Sequence, residues 1–420
     1  MSAAVERRLL WLAYFFPPLG GGGCHRTLKL VRYLEPLGWR STVITARDPD
    51  YWILDPTLTE EIPPGAEVIR VRALTAQRLL ALTRSVRVGG GVEETQGSRR
   101  RGVFRALRRA QSWVLIPDGY VGWSRAAARA AAQRIAAGGV DALWTTSSPE
   151  SAHVAGLSLK RRFALPWVAD FRDPWVGRVT YAPPSRWHDA RHRSLEADVV
   201  RAADRITVVS EAMAALYRER YPDLDPARFV VLPNGVDQDD WRRADAARFE
   251  SNARDQAADQ GRFVLLHAGQ LAHRPTARTL LEGARRAIAD QPELARQLRI
   301  RFLGGNEEIA AGDPLARALG DVVALDPSRP HLEALAAMRR ADALVLLGHG
   351  GRADALLYTG KIYEYLTSGR PVLAILDEGP AADLLRRAGQ GQPFGSADVD
   401  GVGSWMAKLD VIPGGGLTID

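Results

Sequence analysis

Short apolar runs separated by longer helical patterns recur along the whole chain, and this rhythm leaves few folds open. The runs are LLWLAYFF (9–16), STVITA (41–46), EVIRVRA (67–73), DALWTT (141–146), PWVADF (166–171), RITVVS (205–210) and FVVLP (229–233). After a polar, charged stretch at 237–262 the rhythm restarts with FVLLHAG (263–269), IRFLGG (300–305), VVAL (322–325), DALVLLG (342–348) and PVLAIL (371–376). Strands that are apolar on both faces and joined through helices belong to parallel sheets covered on both sides. Two such series predict an α/β protein with two doubly wound domains, 1–240 and 245–400, followed by a tail at 401–420. The length of 420 residues fits two domains at ~100–200 residues each.

Composition bears on the setting. With 46% apolar and 25% charged residues the chain reads as globular, and no apolar stretch reaches the ~18 residues needed to span a bilayer. Arg7 and Arg8 before the run at 9–16 look like the start of a signal peptide. That run is short for the role, Glu6 breaks the basic flank, and Pro17-Pro18-Leu19-Gly20 is no small-residue cleavage site, so a buried strand is predicted. The single cysteine, Cys24, excludes an internal disulfide framework and fits a cytoplasmic location. The net charge of +7 is concentrated between Thr75 and Trp113, where Arg78, Arg84, Arg87, Arg99, Arg100, Arg101, Arg105, Arg108 and Arg109 face only Glu93 and Glu94. Basic amphipathic segments contact anionic lipid at a membrane surface or guide an anionic substrate; a solvated helix face beside a loop is the plain alternative. Aromatic residues do not interleave with these arginines, so no nucleic-acid partner is predicted.

Two motifs carry candidate chemistry. The first is YFFPPLGGGGCHR (14–26), a glycine run directly after the first strand and before a helix predicted at about 25–37. In an open parallel sheet, ligands lie outside the carboxyl ends of the strands, and the first strand-to-helix turn is the usual phosphate position. Without Cβ atoms, Gly21, Gly22 and Gly23 let backbone N–H groups approach a diphosphate or sugar. The pattern is neither a dinucleotide fingerprint nor a Walker loop, and a plain flexible turn explains it equally well. The second motif is TGKIYEYLTSGRPVLAI (359–375), with a helix start at Thr359, Lys361 and Glu364 at i and i+3, and a Gly-Arg-Pro stop before a buried strand. The cation suits a phosphate and the carboxylate suits both hydroxyls of a ribose; an intrahelical ion pair is the plain alternative.

Taken in order, YFFPPLGGGG, PWVADFRDPW (166–175), ADRITVVSEAM (203–213), VVLPNGVD (230–237), HAGQLAHRP (267–275) and TGKIYEYLTSGRPVLAI resemble glycosyltransferase family 4 from near residue 8 to about 390. These are retaining nucleotide-sugar transferases of GT-B fold, two Rossmann-like domains facing each other across a cleft. The resemblance implies an acceptor-binding first domain and a donor-binding second one. It implies that Lys361 binds phosphate, Glu364 the ribose, and Arg274, after Gly269, the diphosphate, with Gly22 and Gly23 closing over it. Base contacts are implied near Leu325 to Arg329. The DFRDPW type resembles the subgroup of surface-glycan and polysaccharide assembly, whose acceptor is a glycan, a lipid-linked sugar or a small molecule, so a peripheral contact at the inner membrane face is expected.

The chain also departs from that pattern. Where many members carry a second glutamate eight positions before the ribose-binding one, this chain has Leu356, with Asp354 nearby as a possible substitute. Where members often have a histidine after the strand matching DALWTT, it has Thr146-Ser147-Ser148, with His153 a turn further on. His153 and Asp170 are predicted to act at the reacting centre, and Asp170, Arg172 and Asp173 on the acceptor side; a salt-bridged structural corner is the alternative for these three. No metal site and no cofactor beyond the donor are expected, because no His/Cys cluster has ligand spacing. Two other classes stay open: a nucleotide-sugar epimerase, which needs acids on both faces of the sugar, and a catalytically silent paralogue that binds nucleotide or a partner.

Overall fold

In the computed structural model the described residues are 6–47, 54–72, 112–178, 181–259, 261–271, 275–304, 313–356, 358 and 360–409. They form two compact units, 1–232 and 233–420. The division falls at Leu232/Pro233, a few residues before the expected boundary.

The first unit holds a sheet of seven strands: β1 (Arg7–Leu12), β2 (Trp39–Ala46), β3 (Glu67–Val71), β4 (Ala142–Ser147), β5 (Trp167–Phe171), β6 (Arg205–Val208) and β7 (Phe229–Val231). All pair in parallel, in the order β3-β2-β1-β4-β5-β6-β7. The run suspected as a leader is β1, whose Leu9 to Leu12 are buried at the centre of the sheet. Its helices include α1 (Gly22–Leu34), α2 (Val121–Ala136), α3 (Ser151–Phe163), α4 (Arg186–Ala202) and α5 (Glu211–Arg220). Helix α1 begins three residues earlier than predicted and ends at Leu34, because Pro36 starts a tighter turn that Gly38 closes in the left-handed region.

The second unit repeats the plan with six parallel strands: β8 (Phe263–Ala268), β9 (Leu298–Leu303), β10 (Val323–Asp326), β11 (Ala343–Leu347), β12 (Val372–Ile375) and β13 (Gly391–Phe394), in the order β10-β9-β8-β11-β12-β13. Its longer helices are α6 (Gln238–Ala246), α7 (Glu250–Ala258), α8 (Thr276–Asp290), α9 (His331–Arg340), α10 (Lys361–Ser368), α11 (Pro380–Ala388) and α12 (Val399–Ala407). Alternate strand residues feed two cores. Leu265, Ile300, Phe302 and Val345 pack with Leu280, Ala284, Val402 and Met406 on one face; Leu266, Leu303, Leu344 and Leu346 pack with Trp241, Leu335, Ile362 and Tyr365 on the other. The stretch read as a tail from 401 is therefore corrected in its first part: Val402 and Met406 are wholly buried, and Gly283 and Gly403 let α12 lie directly on α8. In each sheet the strand order reverses at one point, between β1 and β4 and between β8 and β11. At such points the two flanking connections leave to opposite faces and open a crevice at the strands' carboxyl ends.

Candidate functional sites at the two sheet edges

At the first sheet's carboxyl edge, Gly21 caps α1 with φ 88°, a conformation that favours glycine. A Cβ at Gly22 would meet open space, whereas one at Gly23 would run into the Arg172 guanidinium. Glycine at 23 is thus required by an internal cation as much as by any ligand. Arg172 donates from Nε to the Ser147 carbonyl and from Nη2 to the Ser148 carbonyl at 3.0 Å, which ties the turn after β5 to the end of β4 and the turn that follows it. Asp173 is half-buried and has no ion-pair or hydrogen-bond partner among the described residues. Cys24, one residue on, is buried, and burial pushes its thiol up, so it is no thiolate nucleophile.

Two predictions for this edge are corrected. Asp170 is 1% exposed and accepts four hydrogen bonds: from Arg26 Nη2 at 2.8 Å and Thr207 Oγ1 at 2.7 Å on Oδ1, and from Arg26 Nε at 3.1 Å and Thr146 Oγ1 at 2.8 Å on Oδ2. Burial alone would raise its pKa; the Arg26 charge and these hydrogen bonds outweigh that and hold it below the usual carboxylate range. With about four lone-pair sites on a carboxylate, none is left for an acceptor hydroxyl, so Asp170 is a structural strut. His153 is fully enclosed, shares a 2.7 Å hydrogen bond between Nδ1 and Thr145 Oγ1, and lies 4.4 Å from the Phe171 ring. Burial lowers its pKa to about 3, and a neutral, enclosed imidazole touches no substrate. Sequence reasoning missed Arg26, which lies 144 positions from its partner. It also missed Asp118, whose buried carboxyl is pushed up to about 6 by desolvation and then by Glu150.

At the second sheet's carboxyl edge, bare backbone is concentrated. Gly269 (φ 150°) ends β8 and Gly304 (φ 154°) ends β9, and a Cβ on Gly304 would stand 2.6 Å from the Gly269 carbonyl oxygen. A Cβ on Gly269 would strike the stem of Lys361 and lie 3.1 Å from its Nζ. Lys361 is the first residue of α10, two positions after the predicted helix start, and Glu364 is in the first turn. The Tyr365 hydroxyl accepts from the Ala268 N–H at 2.9 Å, which anchors the head of α10 to the end of β8. From the other side of the reversal, Thr276 at the start of α8 donates to the Gly348 carbonyl at 2.8 Å. Among the described residues the one ion-pairing partner of Glu364 is His331, at 3.9 Å. The structure thus brings Gly269 and Lys361 together with Glu364 on the same helix head. Arg274 lies outside the described residues.

Two further expectations for this edge change. Asp354 is 5% exposed and accepts from the N–H groups of His349, Gly350 and Asp377 at 2.9–3.0 Å. It organises the loop after β11 and does not replace the glutamate absent at Leu356. Leu325 packs its side chain onto the core, and Arg329 is held by Asp255 at 2.6 and 2.9 Å, so neither side chain is offered to a base. A cavity of about 430 Å³ lies nearby on the α9 face, lined among others by Arg301, Arg329, Asp255 and Asp326. Arg301 binds Asp255, Asp259 and Asp326, so the charges in its wall largely cancel within the protein.

Comparison with known proteins bears on both edges. A family model, Glycosyltransferase Family 4, matches residues 76–240. Over that stretch the chain is similar to glycosyltransferase family 4. D-inositol 3-phosphate glycosyltransferase of Geodermatophilus obscurus is 33% identical over 163 residues, covering 37% of this chain and 35% of that protein; the match spans about a third of the relative's length. Sucrose-phosphate synthase from Thermosynechococcus elongatus has a TM-score of 0.61 at 16% identity, over 95% of this chain and 88% of that one. Anabaena Alr3699/HepE, solved in complex with UDP, has a TM-score of 0.54 at 15% identity, over 96% and 91%. These likenesses show the fold, and the two doubly wound sheets are those of the GT-B type.

Proposed function

We propose that this chain is a retaining glycosyltransferase of family 4 that moves a sugar from a nucleoside-diphosphate sugar to an acceptor hydroxyl, in surface polysaccharide or glycan assembly. The observation that carries the reading is the head of α10: Lys361 against Gly269 and Glu364 in the first turn, at the strand-order reversal of the second sheet. Lys361 and Arg274 take the diphosphate, and Glu364 takes the ribose hydroxyls. The first unit, with Asp173 at its edge, serves the acceptor.

In the reaction the bond from the anomeric carbon to the diphosphate oxygen breaks, and the acceptor oxygen bonds to that carbon on the same face. The acceptor's proton goes to the departing phosphate. Negative charge grows on the leaving group, and fixed cations and N–H dipoles aimed at it lower the barrier by several kcal/mol. Lys361 and Arg274 supply that charge, so no divalent ion is required. Incubation with a panel of nucleotide sugars in excess EDTA tests this: transfer or slow hydrolysis of one donor is expected to persist. Loss in EDTA with recovery on magnesium overturns the metal independence, and inertness toward every donor overturns the transferase reading.

A lipid-linked acceptor fits the arginine-rich segment, whose nine arginines lie outside the described residues, and fits a set of exposed apolar side chains among the described ones. Trp113, Val114 and Trp187 are 55%, 77% and 64% exposed, and tryptophans favour membrane interfaces. Each arginine near an anionic leaflet contributes about 1 kcal/mol. The chain is expected to sediment with anionic vesicles at low salt, and charge reversal at Arg99, Arg100, Arg101, Arg105 and Arg108 to abolish it. A wild type that ignores such vesicles points to a water-soluble acceptor.

A further inference from the structure

Glu364 does not stand alone at the head of α10. His331 opens α9 after Pro330, and its Nε2 lies 3.9 Å from Glu364 Oε1 and 3.5 Å from Asp240 Oδ2. Asp240 is 2% exposed, on α6, with Arg243 Nη1 3.7 Å away. A buried carboxylate needs partners, and a helix N-terminus is a poor place for a basic side chain unless carboxylates face it. Both conditions meet in one imidazole placed between Asp240 below and Glu364 above. Three helices, α6, α9 and α10, each contribute one member, and the exposure of the side chains rises from 3% at Asp240 through 14% at His331 to 24% at Glu364.

We infer that His331 is a positioning residue of the donor site: backed by Asp240, it holds the Glu364 carboxylate in the orientation that receives the two ribose hydroxyls. The inference rests on the donor reading above. A carboxylate on a helix surface otherwise samples several rotamers, and fixing it beforehand removes an ordering cost from binding. Supporting groups of this kind set affinity without touching the ligand.

The test is a double-mutant cycle on the full chain, titrated with whichever of UDP, GDP and ADP the wild type binds most tightly. His331→Ala is expected to weaken binding about tenfold, the scale of a lost supporting contact. The same substitution made on top of Glu364→Ala is expected to add little, because its effect passes through that carboxylate. His331→Gln, which keeps a donor at similar reach, is expected to recover most of the loss, and it serves if the alanine variant does not fold. An unchanged dissociation constant in His331→Ala, or an equal loss with and without Glu364, overturns the inference and leaves the donor reading standing. A wild type that binds none of the three, or a Glu364→Ala variant of unchanged affinity, removes the donor reading and the inference together.

Discussion

The two sheets share one strand plan, yet their carboxyl edges are filled in opposite ways. In the first unit most charged side chains at the edge are satisfied within the protein, Asp170 by Arg26, Glu150 by Arg178, and Arg172 by the Ser147 and Ser148 carbonyls, with Asp173 the exception among the described residues. In the second, Gly269 and Gly304 follow β8 and β9 with positive φ, and among the described residues the ion-pairing partner of the Glu364 carboxylate is His331 at 3.9 Å, beyond hydrogen-bond distance. A common fold thus fixes where a ligand can sit, while the saturation of each charged group decides whether that group can bind one. DFRDPW and TGKIYEYL look alike as charged motifs in sequence; their surroundings separate a strut from a candidate site.

Matched alanine variants break or sharpen this contrast most strongly. Asp170→Ala leaves Arg26 buried without its counter-charge and is expected to cost about 3–5 kcal/mol of stability, whereas Glu364→Ala is expected to stay within about 0.5 kcal/mol. Urea unfolding of both, monitored by circular dichroism, compares them directly, and similar losses at the two positions dissolve the distinction.

A smaller effect separates two carboxylates inside the first unit. The carboxyl of Asp118 is raised to about 6, above the usual ~3.9 of an unfolded chain, so the folded form holds a proton that the unfolded form releases. Its contribution to stability is complete below about pH 4 and is lost as the pH rises through about 6, an effect of the order of 1–3 kcal/mol. Asp170, held low, has the opposite sign: its contribution is present above about pH 4 and is lost as the pH falls below that. Thermal unfolding of wild type and Asp118→Asn between pH 5 and 7.5 resolves the Asp118 part. The gap between the two profiles is expected to change across pH 6, and parallel profiles contradict the assignment.

Most of the architecture was legible because apolar runs joined by helical patterns have few solutions. Strand β13 was missed, since GQPF carries a glycine and a proline and its residues are only partly buried, as an edge position allows. The start of α1 was missed because glycines are poor helix formers, and here Gly22 and Gly23 lie in its first turn. The Lys361 and Glu364 pair was visible because both residues belong to one helix. Arg26 with Asp170, and His331 with Asp240 and Glu364, were not, because they meet only when distant segments pack. His153 and Asp354 were misread for a related reason: a polar side chain near a sheet edge can point into the protein, and spacing along the chain does not reveal which way it turns.

The central claim is that the second unit binds a nucleoside diphosphate through the head of α10. Calorimetric titration of UDP, GDP and ADP into the full wild-type chain and into Glu364→Ala tests it most directly. One nucleotide is expected to bind the wild type and to lose ~1.5–3 kcal/mol in the variant, the scale of hydrogen bonds to a charged group. Equal affinity in a folded variant, or no binding of any of the three to the wild type, contradicts the claim.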